Sequence, residues 1–341
     1  GMKPIIIHHR SVHHASNSGY SRLVDYMPLA SIISGAVKFP YRLAKFISVN
    51  TNQLAGNYDS LSVLKEIELF HKLTKNEHQV VHYLNTERDI RHLINYKQFY
   101  KNTAFCGTFH KPPSILKEQF SNIKYLKKLD GAITVGSNQV DFIKNWLNIE
   151  NVKYIPHGVD TDFFIPDESK KKQNTLLFVG QHLRDFEAFN YCIPKIAEQI
   201  KNLKVNVVLR KDYNLKIEPH RTIQLHNGID DTALKTLYQE ASLLFLPLKD
   251  VTACNSILEA MACGLPIITS EVGGNIEYLK WTNSVLAPTI DTKFYIDATI
   301  DLLRDESKLK ILGDLSRKKS LMYSWDSIAQ KVTDFYKTIE V

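Results

Sequence analysis

Short runs of apolar residues alternate along the chain with longer stretches in which apolar residues recur every three or four positions. The short runs are typical of buried strands, and the longer spacing is typical of helices with one apolar face. Regular alternation of the two predicts parallel sheets covered by helices. The strands predicted in the first half are residues 4–8, 79–84, 104–106, 131–135 and 152–155.

The same alternation restarts after a polar segment, residues 167–174, whose run of lysines favours a solvated linker over a binding patch. We therefore predict an α/β protein with two doubly wound domains, residues 2–165 and 174–324. Residues 325–341 have helical spacing and are expected to form a helix on one domain, with the N-terminal domain as the candidate. The strands predicted in the second half are residues 175–179, 205–209, 222–225, 243–247 and 266–269.

Net charge and cysteine content limit the classes of partner and the cellular compartment that we expect. The net charge of +7 and the isoelectric point of about 9.0 favour an anionic partner, either acidic lipid headgroups or a phosphorylated substrate. Nucleic acid is the weakest candidate, because no zinc finger or aromatic RNA-binding motif is present. Four cysteines without a pairing pattern and the lack of a long apolar run indicate a cytoplasmic protein. We expect at most peripheral attachment to the inner face of an anionic membrane.

Residues 254–270 are predicted to form a loop, a helix that contains Glu259 and ends at Gly264, and a strand that begins at Pro266. In open parallel sheets, ligands bind where strands end and helices begin. The loop 251–256 would present backbone N–H groups at the positive end of this helix, which suits a diphosphate. A carboxylate on the helix surface one or two turns later can accept hydrogen bonds from ribose hydroxyls.

This segment resembles the family 4 retaining glycosyltransferases, or glycosyl transferases group 1, of the GT-B fold. Their hallmark is an acidic residue, seven others and a glutamate, followed by Ala-x-Ala-x-Gly-x-Pro. The glutamate of this motif and the residues that follow it are present here as Glu259, Ala260, Ala262, Gly264 and Pro266. The resemblance implies two Rossmann-like domains facing a cleft, with the donor ribose held by Glu259.

The first acidic position of the hallmark falls on Val251, with Asp250 one residue earlier. An apolar side chain cannot accept hydrogen bonds from sugar hydroxyls. Recognition of the transferred sugar is therefore expected from Asn255 and from the amides of residues 252–254.

Further loops match family positions. His110 resembles the histidine that contacts the transferred sugar, and Gly19 stands in the loop that approaches the phosphates or the acceptor. His157 opens a passage, residues 157–166, that resembles the interdomain hinge and is expected to be structural. Gly228 and Ile229 match the loop whose backbone meets the nucleotide base.

Gln181 stands where the family has an arginine on the donor diphosphate. Arg184 is the candidate replacement, because one guanidinium can bind two phosphate oxygens. Arg210 and Lys211 are second choices. The predicted catalytic residues are His110, Arg184 and Asn255, and the predicted donor-binding residues are Gly19, Gln181, Arg184, Arg210, Lys211, Gly228, Ile229, Thr252, Ala253, Cys254, Asn255, Ser256 and Glu259.

The resemblance implies a hexosyltransferase that uses a nucleotide sugar and a glycan, lipid-linked or small-molecule acceptor, with retention, in cell envelope polysaccharide biosynthesis. We expect no cofactor and no metal, because His8, His9, His13 and His14 give no closed set of ligands. Two alternatives remain open: a nucleotide-sugar epimerase of the same fold, and a catalytically degenerate subunit that only binds the nucleotide sugar. The residues at positions 181 and 251 favour the second alternative.

Overall fold

The computed structural model describes residues 2–8, 19–52, 57–289, 291–339 and 341. Within them the chain forms two compact α/β units, each built on a six-stranded parallel sheet. Of the described residues, the first unit contains those in 2–8, 20–157 and 325–341, and the second contains Gly19 and those in 158–324. The predicted fold class, with two Rossmann-like domains, is confirmed.

The sheet of the first unit has the strand order β2-β1-β3-β4-β5-β6. Its strands are β1 (Lys3–Ile7), β2 (Ser31–Ile33), β3 (Gln79–Tyr83), β4 (Thr103–Phe109), β5 (Gly131–Thr134) and β6 (Val152–Tyr154). The helices between them are α1 (Tyr41–Asn52), α2 (Ser60–Lys72), α3 (Thr86–Asp89), α4 (Pro113–Gln119) and α5 (Val140–Leu147). A 3₁₀ helix, Tyr20–Tyr26, follows Gly19, and others lie at Leu93–Phe99, Leu126–Lys128 and Ser137–Gln139.

The sheet of the second unit has the strand order β12-β11-β10-β7-β8-β9. Its strands are β7 (Thr175–Val179), β8 (Lys204–Val208), β9 (Ile223–His226), β10 (Leu243–Leu246), β11 (Ile267–Ser270) and β12 (Val285–Ala287). Its helices are α6 (Phe186–Gln199), α7 (Asp231–Glu240), α8 (Asn255–Ala262), α9 (Asn275–Tyr278), α10 (Thr292–Leu303) and α11 (Glu306–Ser320). Short 3₁₀ helices lie at Glu168–Lys170, Lys211–Lys216 and Leu321–Tyr323, and α12 (Trp325–Thr338) then returns to the first unit.

All ten predicted strands are present, most within one residue of the predicted bounds. The structure adds β2 and β12, which lie at the edges of their sheets and have three residues each. Most of their side chains are only partly buried. An edge strand this short carries too few apolar positions to stand out from a loop.

Aspartate side chains cap the N-termini of four of the longer helices of the second unit. Asp185, Asp230, Asp291 and Asp305 accept a hydrogen bond from a backbone N–H in the first turn of α6, α7, α10 and α11, respectively. Such caps satisfy N–H groups that have no partner inside the helix. Helix α8 lacks a side-chain cap.

Three buried glutamates close loops of the first unit by accepting backbone N–H groups. Glu68 accepts from residues 34–36, and Glu66 accepts from residues 91–93. Glu87 accepts from His110 and Lys111 at 2.6 and 2.7 Å. The loops are thereby held by hydrogen bonds to ionisable groups, which are stronger than neutral ones.

Helix α12 covers the first sheet with the apolar face that its spacing predicts, including Trp325, Val332 and Phe335. Its Tyr336 hydroxyl lies 2.6 Å from Nδ1 of His82 on β3. Nε2 of the same imidazole lies 2.7 Å from the Thr108 hydroxyl on β4. The last helix is thus joined to the centre of the sheet by a buried polar chain.

Residues 158–174 belong to the second unit, so the structural boundary lies earlier than the predicted end of the first domain at residue 165. Arg317 on α11 attaches the start of this segment to the second unit. Its Nη1 donates to the carbonyl oxygens of Thr161, Phe164 and Ala262 at 3.0 Å each. The Lys172 N–H also donates to the Glu240 carbonyl at 2.8 Å. The polar segment is therefore attached to the second unit and is not a free linker.

None of the helices in the described part of the chain combines the length and the apolar composition needed to cross a bilayer.

Protonation of His82 should make stability depend on pH. Burial lowers the pKa of His82 from 6.5 to about 3. Below about pH 6.5 the unfolded chain binds a proton that the folded chain does not, so stability should fall as the pH drops from 6.5 towards 3. The slope should approach about 1.4 kcal/mol per pH unit.

We expect His82→Gln to remove this component, as measured by urea unfolding between about pH 7 and pH 4. His71→Gln, at an exposed position, is the matched control and should keep the wild-type profile. Parallel pH profiles for His82→Gln and the wild type would contradict the assignment.

Candidate functional site

The strand order of the second sheet reverses between β7 and β10. Ligands of open α/β sheets bind at the carboxyl ends of the strands at such a point. The two loops that begin there are hydrogen-bonded to each other, from the Asp185 N–H to the Pro247 carbonyl and from the Lys249 N–H to the Leu183 carbonyl. The topology therefore joins the loops 180–185 and 247–254 into one candidate site.

Helix α8 presents open backbone donors in this site. Cys254 occupies its N-cap position without a side-chain hydrogen bond. The first helical bond runs from the Leu258 N–H to the Cys254 carbonyl at 3.1 Å. The N–H groups of Asn255, Ser256 and Ile257 have no acceptor among the described residues. Together with the helix dipole, they form a site suited to a negative charge.

The rest of α8 is held firmly, since residues 256–262 are all buried. Its C-terminal end is fixed by Arg317, which donates to the Ala262 carbonyl. A Cβ on Gly313 of α11 would clash with the Gly264 carbonyl just beyond α8, so the two backbones are in direct contact. The open N–H groups are therefore carried by a rigid helix.

Asn255 is the first residue of α8, and its side chain is exposed. Cys254 holds the cap position, so Asn255 does not cap the helix. Its amide is placed beside the open backbone donors, where a ligand could reach it. Thr252 and Cys254 are buried, and Ala253 is half-buried.

Arg184 lies against the first turn of α8. Its Nη2 donates to the Ser256 hydroxyl at 3.2 Å, while Nε and Nη1 donate to the carbonyl oxygens of Val179 and His182. Gly180, with φ of 94°, makes room for it, because a Cβ there would clash with Nη2. The structure thus brings Arg184 and the α8 N-terminus together, as the sequence hypothesis requires. A guanidinium has five N–H donors, so Arg184 has donors beyond the three used here.

Glu259 is buried, with 5% of its surface exposed, and one carboxylate oxygen accepts a hydrogen bond from the Tyr238 hydroxyl at 2.9 Å. The expectation of a carboxylate on the helix surface is therefore wrong. Burial and the adjacent carboxylate raise the pKa of Tyr238 well above its usual value, so its hydroxyl keeps its proton and stays a donor. The role of Glu259 towards a ribose stays a prediction.

The backbone of Gly274 packs directly against the loop before α8. The Gly274 N–H donates to the Val251 carbonyl at 3.1 Å, and a Cβ on Gly274 would clash with the Thr252 carbonyl. Val251 itself is buried. The carboxylate of Asp250 accepts from the Val251 N–H at 2.8 Å. Asp250 is therefore engaged with its own loop at the point where the family hallmark has its first acidic residue.

The remaining candidates of the second unit follow the ends of β8 and β9. The Gln181 side chain accepts from the Arg210 N–H at 3.2 Å. The Arg210 guanidinium is exposed and paired with Asp212 at 3.1 Å, and Lys211 is also exposed. Gly228, with φ of 62°, is exposed, and Ile229 is half-buried. In the described part of the chain, none of these hydrogen bonds and ion pairs joins Arg210, Lys211, Gly228 or Ile229 to α8.

In the first unit, His110 follows β4. Its Nε2 lies 2.5 Å from the Leu84 carbonyl and must carry the proton that this acceptor receives. The ring meets Tyr20 edge-on, with centroids 4.9 Å apart. His157 is buried between Tyr20 and Trp325, in agreement with a structural role.

The candidates near the first loop are only partly covered by the structure. Gly19 has φ of 91°, a backbone conformation that favours glycine. His8 is buried. His9, His13 and His14, which were not expected to bind a metal, lie outside the described residues.

Among the residues that the structure describes, no group of three or more His, Cys, Asp or Glu side chains could hold a metal ion. The metal-independence of the chemistry stays a prediction.

Three residues that shape these sites were not singled out from the sequence: Tyr238, Glu87 and Gly274. The tandem of Gly273 and Gly274 after a strand is a loop signal that could have been noticed. Tyr238 and Glu87 act on residues 21 and 23 positions away, respectively, and no local pattern reveals such pairs.

Solved structures with the same architecture are glycosyltransferases of the GT-B fold. Sucrose-phosphate synthase from Thermosynechococcus elongatus superposes with a TM-score of 0.71 and 16% identity over 99% of both chains. HepE from Anabaena, solved with UDP-glucose, has a TM-score of 0.69 and 12% identity over 99% of this chain and 100% of that one. At these identities the likeness establishes the fold alone.

Residues 173–305 match the family model of glycosyl transferases group 1. One of the subunits of the human phosphatidylinositol N-acetylglucosaminyltransferase is 19% identical over 221 residues, which are 61% of this chain and 46% of the relative. The D-inositol 3-phosphate glycosyltransferase of Corynebacterium urealyticum is 23% identical over 107 residues, or 31% and 25%. The chain thus spans less than half the length of either relative.

The burial of Glu259 leads to a stability prediction. We expect Glu259→Ala to lower the free energy of unfolding by about 1–3 kcal/mol, because the Tyr238 hydroxyl loses its acceptor inside the protein. Tyr238→Phe should also destabilise the fold, since it removes the donor to a buried carboxylate. Urea unfolding measures both changes, with the exposed Glu271→Ala as the control. Wild-type stability of Glu259→Ala would show that the carboxylate serves no structural role.

Proposed function

We propose that the chain is a retaining glycosyltransferase of family 4, which transfers a hexosyl group from a nucleotide-sugar donor to an acceptor. The observation that carries the proposal is the uncapped N-terminus of α8, set beside Arg184 at the reversal point of the second sheet. The group 1 family match over residues 173–305 supports it. HepE, solved with UDP-glucose, shares the fold.

The donor diphosphate would lie on the open N–H groups of Asn255, Ser256 and Ile257. As the bond to the sugar breaks, the nucleoside diphosphate gains negative charge. Donors fixed before the reaction stabilise that charge without reorganising. Arg184 would add positive charge at the same point through its remaining N–H groups, and its bonds to two carbonyls hold it in place.

Glu259 would bind the ribose, with its carboxylate oriented by Tyr238. The loop residues Gly228 and Ile229 would meet the base through their backbone. Asn255 and the amides of residues 252–254 would contact the hydroxyls of the transferred sugar, because Val251 cannot. In the first unit, His110 would position sugar hydroxyls with its ring oriented by the Leu84 carbonyl.

The acceptor in this proposal is a glycan, a lipid-linked sugar or a small molecule, in cell envelope polysaccharide biosynthesis. Peripheral association with an anionic membrane would bring a lipid-linked acceptor to the enzyme. No cofactor is needed, because backbone donors and a guanidinium neutralise the phosphates.

A second candidate is a subunit that binds the nucleotide sugar without turnover. Two observations favour it. Val251 replaces a carboxylate and is buried, and Gln181 replaces an arginine and is engaged with the Arg210 backbone. An epimerase of the same fold would act on the donor with no acceptor at all.

Incubation with a panel of nucleotide sugars separates the three functions. Calorimetry measures binding, and chromatography of the nucleotide products measures turnover. Transfer or slow hydrolysis of one donor supports the glycosyltransferase. Isomerised donor identifies an epimerase, and tight binding with unchanged donor identifies the binding subunit. If no nucleotide sugar binds, all three proposals fail.

Two substitutions test the phosphate and sugar contacts. We expect Arg184→Ala and Asn255→Ala each to weaken donor affinity about tenfold or more, because each removes a polar contact worth about 1.4 kcal/mol or more. Arg210→Ala and Asp250→Ala are matched controls and should change affinity by much less. The melting temperature of Asn255→Ala should equal that of the wild type, because its exposed side chain does not cap α8. A larger loss of donor affinity in Arg210→Ala or Asp250→Ala would show that the contact belongs to that residue instead.

Metal removal is expected to leave turnover unchanged. The positive charge of the proposed phosphate site comes from N–H groups and Arg184, neither of which EDTA extracts. The assay compares donor turnover before and after EDTA treatment. Activity that is lost and then restored by manganese or magnesium would contradict this part of the proposal.

A further inference from the structure

Helix α1 carries apolar side chains on the face that points away from the protein. Tyr41 and Phe46 are each 65% exposed, Val49 is 54% exposed and Leu43 is 46% exposed. The opposite face, with Ala44, Ser48 and Thr51, is buried. Single exposed apolar residues are ordinary, but four within nine positions of one helix form a patch that needs an explanation.

The charged side chains in and around α1 are all basic. Arg42 and Lys45 are exposed on the same side of α1 as the apolar residues. Lys38 precedes the helix. Residues 26–58 contain no aspartate or glutamate, although the chain has 36 acidic residues in 341. The exposed face of α1 is therefore both apolar and cationic.

We propose that this face of α1 is a docking surface for an anionic lipid bilayer, with the helix lying in the plane of the headgroups. Tyr41, Leu43, Phe46 and Val49 would enter the boundary between headgroups and acyl chains. Arg42 and Lys45 would contact lipid phosphates, since long basic side chains reach the headgroup level while their stems stay apolar. Each basic residue near such a surface contributes electrostatic attraction that salt weakens.

Charge argues against a second copy of the chain as the occupant. In a two-fold symmetric dimer the same patch faces itself. Arg42 and Lys45 of the two copies would then lie close together with no acidic side chain on α1 to pair them. An anionic bilayer supplies both the apolar layer and the missing negative charge.

The experiment is co-sedimentation of the full chain with vesicles of phosphatidylcholine, with and without phosphatidylglycerol. We expect binding to the anionic vesicles that weakens at high salt, and little binding to the neutral ones. The double variant Phe46→Ser, Val49→Ser and the double variant Arg42→Glu, Lys45→Glu should each reduce binding about tenfold or more.

Matched controls come from exposed positions of the second unit. Leu215→Ser with Ile311→Ser, and Lys201→Glu with Lys204→Glu, should bind vesicles as the wild type does. Melting temperatures of all variants check that they fold. The α1 proposal locates the membrane association that the proposed function includes. Donor affinity measured without vesicles should be the same in the α1 variants and the wild type, so failure of membrane binding can be told apart from failure of donor binding.

Three results would overturn the proposal: no binding of the wild type to anionic vesicles, equal binding to neutral vesicles, or wild-type binding by both α1 variants. A dimer in analytical ultracentrifugation that Phe46→Ser, Val49→Ser abolishes would assign the face to a second copy instead.

Discussion

Backbone N–H groups in the loops and helix starts around a parallel sheet need acceptors, and the protein supplies them in several loops but not at the start of α8. In the first unit, Glu66, Glu68 and Glu87 accept the N–H groups of residues 91–93, 34–36 and 110–111. Its loops are therefore closed by the protein itself. In the second unit, the first turn of α8 is left open, and only a ligand or solvent can complete it.

The loops closed by glutamates are satisfied within the protein, whereas the first turn of α8 is suited to an anion. The open donors of α8 do not adapt to the ligand, because the helix is buried along its length and its far end is fixed by Arg317 and Gly313. Arg184 is likewise fixed to loop carbonyls before any ligand arrives. A site of this kind is preorganised, and the energy of ordering it is part of the folding free energy.

The architecture was predictable because buried parallel strands are apolar runs that the sequence shows directly. The strand order was not, since it depends on which strands pair across the sheet, and the reversal between β7 and β10 depends on that order. The loop and helix at residues 251–262 were predictable from Gly264, Pro266 and the family pattern. Arg184 contacts the first turn of α8, and its role on the diphosphate stays a prediction.

The burial of Glu259 shows where sequence reasoning stopped short. Asn255, Ser256 and Glu259 lie three and four positions apart, so they share one side of α8 and the spacing predicts a polar face there. In the structure this side is buried from Ser256 onward, which the local spacing does not reveal. The partner of Glu259, Tyr238, lies on α7, and pairing between two helices is set by packing that no local spacing encodes.

The order of the chain also bears on its synthesis. The sheet and helices of the second unit lie in one segment, residues 158–324, whereas the first unit is interrupted by that segment and completed by α12. His82 and Tyr336 are 254 residues apart in the chain. On the ribosome, the first sheet is made early but stays without its covering helix while the whole second unit emerges and can fold. The nascent first unit therefore lacks the helix that covers its apolar surface and pairs with His82 until the second unit has been made.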